Sequence, residues 1–139
     1  MPNTVLYTAE AVSTGDGRNG HVISSDNGLD LDLAVPPELG GTGDGTNPEQ
    51  LFAAGYAACF HSELRAVAGR QHTPLRDSTV TAQVGIGPDG EAMGLVVTLV
   101  INVPGMEREK VREFADAAHQ TCPYSRATRG NISVELRVL

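Results

Sequence analysis

Tryptophan is absent from this 139-residue chain, and phenylalanine and tyrosine occur three times each. No apolar run approaches the ~20 residues that a membrane-spanning helix needs, so no membrane role is expected. Positive charge is scarce as well. Ten Lys and Arg stand against 17 Asp and Glu, for a formal net charge of −7 and a pI near 4.9. That balance weighs against nucleic acid or an anionic membrane surface as a partner. The opening MPNTVLYTAEAV has neither the basic n-region nor the apolar h-region of a signal peptide, so a cytoplasmic location is expected. Cysteine occurs only twice. In a reducing cytosol two thiols are more often catalytic or incidental than structural. There are no internal repeats and no low-complexity segment, and the length suits one domain, residues 1–139, with its own core.

Other absences narrow the chemistry. Gly40-Gly41-Thr42-Gly43-Asp44-Gly45 precedes a helix but lacks a following Gly-Lys-Ser/Thr, and Asp44 would repel an anion. It reads as a flexible turn and not a phosphate cradle. The four histidines are scattered, so neither metal nor bound cofactor is expected. His119 and Cys122 at i, i+3 could share a helix face, but two potential ligands do not make a zinc site.

What the chain does have is residues 43–60, GDGTNPEQLFAAGYAACF. Asn47 is a good N-cap, Pro48 suits the first helical position, and Gln50 can reach back as in a capping box. Glu49 complements the positive end of the helix dipole. From Leu51 to Phe60 every residue is apolar or glycine, which predicts a helix buried all round, ending near Gly69. Cys59 lies near the end of that run.

Alternation predicts strands over Leu6–Val12, His21–Ser24, Leu29–Val35, Ser78–Ile86 and Ile132–Val138. Leu95–Val103 is apolar on both faces and reads as a central strand covered on both sides. A second helix is expected from about Glu107 to Thr121, with Pro123 ending it. Its apolar stripe of Val111, Phe114, Ala115 and Ala118 continues to Cys122. The order βββ-α-ββ-α-β describes an α+β fold with a mainly antiparallel sheet. One sheet in a chain of this size has trouble covering a helix apolar all round, so a homodimer is expected on burial grounds.

Each cysteine has a bland reading as a buried structural thiol. Yet both fall on core-facing stripes, 122 − 59 = 63 positions apart, and only the fold can bring them together. Cys122-Pro123-Tyr124-Ser125 has the letters of a glutaredoxin motif. Thioredoxin-like folds place that motif after a strand, early in the domain, whereas here it follows a helix near the end. His61 lies about 200° round the helix from Cys59 and is a poor base for it. Arg18 and Glu49 look like ordinary surface residues. A thiolate reactive at neutral pH nonetheless needs a cation or helix N-terminus nearby, and an arginine held by a carboxylate supplies one.

GTNPEQLFAAGYAACF, the upstream PPELGG and the downstream AHQTCPYSRATRGNISV strongly resemble the organic hydroperoxide resistance proteins of the OsmC superfamily. The resemblance spans essentially the whole chain, including the GDGRNG loop. By position it implies that Cys59 is the peroxidatic cysteine and Cys122 the resolving one. Arg18 would stabilise the thiolate and Glu49 would orient that arginine. It implies an intertwined dimer whose sheets wrap central helices, an organic hydroperoxide as substrate, and a dithiol reductant such as dihydrolipoyl groups on a lipoylated protein. Two rivals stand beside it: a non-catalytic module that shelters an apolar ligand, and a Cys-His hydrolase using His119. Arg18 is expected to depress the Cys59 pKa. Glu49 and Cys59, 59 − 49 = 10 residues apart, would be about 15 Å apart along a straight helix. Either the helix breaks near Gly55, or the partner subunit's helix brings its Glu49 to Cys59. The second is favoured.

Overall fold

The alternating stretches of the first 48 residues form a small antiparallel sheet. In the computed structural model, which describes all 139 residues, β1 (Ala11–Thr14), β2 (His21–Ser24) and β3 (Asp30–Asp32) pair in that order. Asp26-Asn27-Gly28 turns β2 into β3. Ser24 Oγ donates to Asp26 at 2.7 Å, Asp26 accepts the Gly28 N–H at 2.9 Å, and Asn27 takes φ 61°. The strand expected at Leu6–Val12 begins instead at Ala11. A strand needs ladder partners for its backbone groups, and on that edge β2 pairs with residues 11–14, none earlier. Leu6 and Tyr7 are left 94% and 79% exposed. β3 likewise keeps only the middle of the Leu29–Val35 alternation. Past it Leu33 bridges to Thr46, and Leu33 and Ala34 are the only buried apolar side chains of this unit.

Arg18 sits in a single 3-10 turn, Gly17–Asn19, inside the β1–β2 loop. The loop is drawn tight at Gly20, where a Cβ would lie 2.0 Å from the Thr14 carbonyl oxygen, so only glycine fits. Asn19 Oδ1 accepts the Val35 N–H at 3.1 Å and ties the loop to the segment after β3.

Residues 49–139 form the second unit. Helix α1 spans Pro48–Arg70 without interruption. Its buried residues Tyr56, Phe60, Leu64, Val67 and Ala68 make one stripe. Elsewhere the apolar run is only half covered within one chain, and Ala54 and Ala58 are exposed. β4 (Thr79–Asp89) and β5 (Ala92–Asn102) form a long hairpin that turns at Gly90-Glu91, and β6 (Val134–Val138) pairs parallel to β5. That parallel pair is the exception to the antiparallel pattern, and it requires a crossover connection. Helices α2 (Arg108–Thr121) and α3 (Pro123–Thr128) supply it.

α3 is an element the sequence reading lacked. Pro123 does stop α2, but proline also suits a first helical position, and here it does both. The core joins the α1 stripe to Val97, Leu99, Ile101 and Val103 and to the expected α2 stripe from Val111 through Cys122. β5 is central, as expected. Its second face stays open in one chain, with Val96 51% exposed.

One pH-dependent brace holds the first sheet. His21 Nδ1 lies 2.6 Å from Asp32 and Nε2 2.6 Å from Asp30, so both ring nitrogens face carboxylates and both can donate only in the imidazolium. The Asp32 hydrogen bond, then that of Asp30, raises the His21 pKa above its ordinary value. The folded state therefore binds the proton more tightly than the unfolded chain does. The stabilisation is full below about pH 6.5 and is lost as pH rises through the raised value. The stability gap between wild type and His21→Gln, read by thermal denaturation, should be widest near pH 5.5 and close at alkaline pH. A gap that does not vary with pH excludes this brace.

Candidate active site

The fold carries Cys59, near the middle of α1, to Cys122, the single residue between α2 and α3. Their sulfurs are 3.5 Å apart with the Cys122 thiol donating to Cys59 Sγ, and both thiols are free. A disulfide bond is about 2.05 Å long, so roughly 1.5 Å of approach separates this pair from a bond. Cys122 is fully buried and Cys59 half-buried, which leaves Cys59 as the sulfur open to a reagent.

Within its own unit the surroundings of Cys59 oppose ionisation of the thiol. Burial pushes the Cys59 thiol up, and neighbouring Cys122 and the Glu63 carboxylate push the same way. The Tyr124 backbone N–H, hydrogen-bonded to the sulfur, opposes them. Glu63 is one turn beyond Cys59 on α1. It accepts a hydrogen bond from Thr121 Oγ1 at 2.6 Å and an ion pair from Arg70 at 3.3 Å, which fastens α1 to the end of α2.

Residues near the two cysteines in the chain carry a cluster of aromatic rings. Tyr124, two residues after Cys122, lies 6.3 Å from the Phe52 ring and 5.6 Å from the Tyr56 ring. It reaches α1 because Gly55 has no side chain: a Cβ there would stand 2.8 Å from the Tyr124 hydroxyl oxygen. Gly55 is thus a seat for Tyr124 and not the helix break considered from the sequence, since α1 runs unbroken through it.

Glu49 lies in the first turn of α1, half-buried. Arg18 lies in the N-terminal unit with an exposed side chain, and both residues are engaged by neighbours. With α1 continuous, Glu49 and Cys59 of one chain stay about 15 Å apart along its axis. His61 is directed to Ser78 Oγ at 2.9 Å. His119 Nδ1 meets Ser125 Oγ at 2.8 Å, so this ring nitrogen is committed to a hydroxyl and not to a thiol. No group of three or more His, Cys, Asp or Glu is gathered to hold a metal ion, and no helix is long and apolar enough to cross a membrane. Sequence reasoning missed Glu63, Tyr124, Ser125 and Tyr56. One signal was there: Tyr56, Cys59 and Glu63, at i, i+3 and i+7, share a helix face.

Residues 41–137 match the family described as OsmC-like protein. The organic hydroperoxide resistance protein of Xanthomonas axonopodis pv. citri is 54% identical over 137 residues, covering 97% of this chain and 96% of that protein. Among solved structures, the organic hydroperoxide resistance protein OsmC of Legionella pneumophila superposes with a TM-score of 0.91 at 47% identity, covering 97% of this chain and 98% of that one. OhrB of Bacillus subtilis, also an organic hydroperoxide resistance protein, gives a TM-score of 0.88 at 46% identity, covering 97% and 100%.

The Gly55 seat sets two effects against each other. Alanine gains about 1 kcal/mol over glycine in a helix interior, while crowding a packed neighbour costs about 1–3 kcal/mol. Gly55→Ala should therefore destabilise the wild type, yet stabilise the Tyr124→Ala variant by about 1 kcal/mol. Urea denaturation of the four proteins tests this, and the same sign in both backgrounds rules out the seat.

Proposed function

The chain belongs to the OsmC-like family, among its organic hydroperoxide resistance proteins, and from that premise we propose that it is a cysteine peroxidase for organic hydroperoxides. The observation that carries this reading is the reduced thiol pair, Cys122 donating to a more accessible Cys59 at 3.5 Å. In the proposed cycle the Cys59 thiolate attacks the terminal peroxide oxygen. The O–O bond breaks, a sulfenic acid forms, and the departing alkoxide takes a proton to leave as an alcohol. Cys122 then displaces hydroxide from the sulfenic sulfur and gives its proton to that leaving group as water. The resulting Cys59–Cys122 disulfide is reopened by exchange with a dithiol. Family membership favours dihydrolipoyl groups on a lipoylated protein as that dithiol.

Burial opposes formation of the thiolate, so a cation has to outweigh it. Arg18 is the proposed cation and Glu49 the carboxylate that orients it. A straight α1 keeps Glu49 from Cys59 of its own chain, so Glu49 of the partner subunit is the proposed member of each site. A homodimer also accounts for the exposed apolar side chains. Val5, Leu6, Tyr7 and Val12 of the first unit, and Val96 of the second, lie on surfaces a second chain could cover. The aromatic cluster of Phe52, Tyr56 and Tyr124, carried on residues within two helical turns of the thiols, favours an alkyl or fatty-acyl hydroperoxide over hydrogen peroxide, which gains nothing from apolar burial.

Stopped-flow oxidation with cumene hydroperoxide, followed by thiol counting, tests the roles. Cys59→Ser should abolish turnover. Cys122→Ser should keep the first oxidation, form no disulfide and over-oxidise. Equal, partial losses in both variants count against the assignment. A mixing experiment tests the composite site. Glu49→Ala and Cys59→Ser, each inactive alone, should regain roughly a quarter of wild-type activity when reassociated as mixed dimers, since half the dimers then hold one complete site. No recovery in verified mixed dimers refutes a site shared between subunits.

A further inference from the structure

Behind the two thiols runs a chain of side-chain hydrogen bonds that the peroxidase cycle does not use. Cys122 is the joint between α2 and α3, in an extended conformation with φ −59° and ψ 125°. Its own N–H donates to Ala118 and its carbonyl accepts from Arg126, so its backbone belongs to both helices. What fixes the angle of the joint is a link across it. His119, three residues before Cys122, bonds through Nδ1 to the hydroxyl of Ser125, three residues after it, at 2.8 Å. Ser125 Oγ also lies 2.8 Å from the Tyr56 hydroxyl, which is 3.1 Å from Thr128 Oγ1. Tyr56 is three residues before Cys59, on the turn of α1 that precedes the thiol. Ser125 and Tyr56 have no exposed surface, and no buried side-chain nitrogen or oxygen lacks a partner. Arg129 adds a second tie, from its guanidinium to the His119 carbonyl.

The network has one direction. Thr128 Oγ1 donates to the Ser125 carbonyl at 3.1 Å, so it accepts from Tyr56. Tyr56, with one proton given to Thr128, accepts from Ser125. Ser125 in turn accepts from His119, which is therefore protonated at Nδ1. Burial, then the Arg129 charge, lowers the His119 pKa against the opposing pull of Asp116, which keeps the ring neutral at physiological pH.

We propose that Ser125, held between His119 and Tyr56, is the positioning residue that keeps Cys122 in line for attack on oxidised Cys59. This rests on the thiol-peroxidase reading above. The step positioned is Cys59–SOH plus Cys122–SH giving the disulfide plus water. The S–O bond breaks and the S–S bond forms. The sulfenic sulfur is reduced, the Cys122 sulfur is oxidised, and the thiol proton leaves with hydroxide; the organic hydroperoxide supplied the oxidising equivalent. The sulfurs have roughly 1.5 Å to close, and a joint braced on both sides leaves that travel to the side chains. A slack joint lets the sulfenic acid wait, exposed to a second peroxide.

The test separates the two chemical steps in the reduced protein with one equivalent of cumene hydroperoxide. Thiol loss reads the first step, while dimedone trapping and intact mass read the second. In Ser125→Ala the first oxidation should stay within about twofold of wild type and disulfide formation should slow about tenfold, the scale of one or two lost hydrogen bonds. Trappable sulfenic acid should accumulate, and Ser125→Thr, which keeps the hydroxyl, should restore fast closure. If Ser125→Ala does not fold, Tyr56→Phe keeps the ring, removes one link and should slow closure about threefold. Wild-type closure rates in a folded variant, or equal slowing of both steps, overturn the positioning role. A wild type that forms no Cys59–Cys122 disulfide at all overturns the peroxidase reading instead.

Discussion

Two sulfurs from residues 63 positions apart are held 3.5 Å from each other, and most of the second unit can be understood as what that contact demands. One sulfur has to come from the middle of a long helix and the other from the end of a different one. Apolar packing of the Tyr56–Phe60–Leu64 stripe against β5 and α2 brings the helices together but does not set their register. Directional links set it. Thr121 to Glu63 lies beyond the thiols along α1, and Ser125 to Tyr56 lies before them. The cysteine pair is pinned between these two polar clamps.

The same surroundings create an electrostatic problem. Excluding water suits an apolar substrate but disfavours a thiolate, and the Glu63 carboxylate adds to the penalty. Glu63 is nevertheless one of the clamps, so register is gained at a cost in acidity. Within its own unit the sulfur receives only the Tyr124 N–H in compensation. In the proposed peroxidase the cation comes from elsewhere, and the straight run of α1 bears on which subunit's carboxylate orients it. Under that proposal, helix geometry links a question about pKa to one about quaternary structure.

The elements with strong local punctuation were legible from the sequence. His21–Ser24 coincides with β2 because a turn with its own side-chain hydrogen bonds follows it. α1 begins at Pro48, the position read as its first, and the α2 stripe placed Cys122 toward the core. Whatever depends on a distant partner was not. Leu6–Val12 alternates well but finds a ladder only from Ala11, and the parallel pairing of β6 with β5 has no local signature. At the site, an apolar stripe announces a cysteine, because burial shows in periodicity. The hydrogen bonds that join Tyr56, Ser125 and His119 gave no such signal, since the partner of a buried polar group depends on how three helices meet.

Proline after Cys122 illustrates how one residue serves several of these needs. Its ring disfavours the helical conformation for the residue before it, so Cys122 is driven to extended dihedrals and α2 must end there. The same proline is at home in a first helical turn, so α3 begins at once. The chain is therefore bent sharply at the thiol, and the next N–H, that of Tyr124, turns toward Cys59 Sγ. Tyr124 then lays its ring on Gly55 and closes the aromatic flank. A helix continued through residue 122 would tie up the Tyr124 N–H in its own ladder and carry Ser125 away from His119. The bend therefore places the second thiol, frees a donor for the first, and makes its own brace possible.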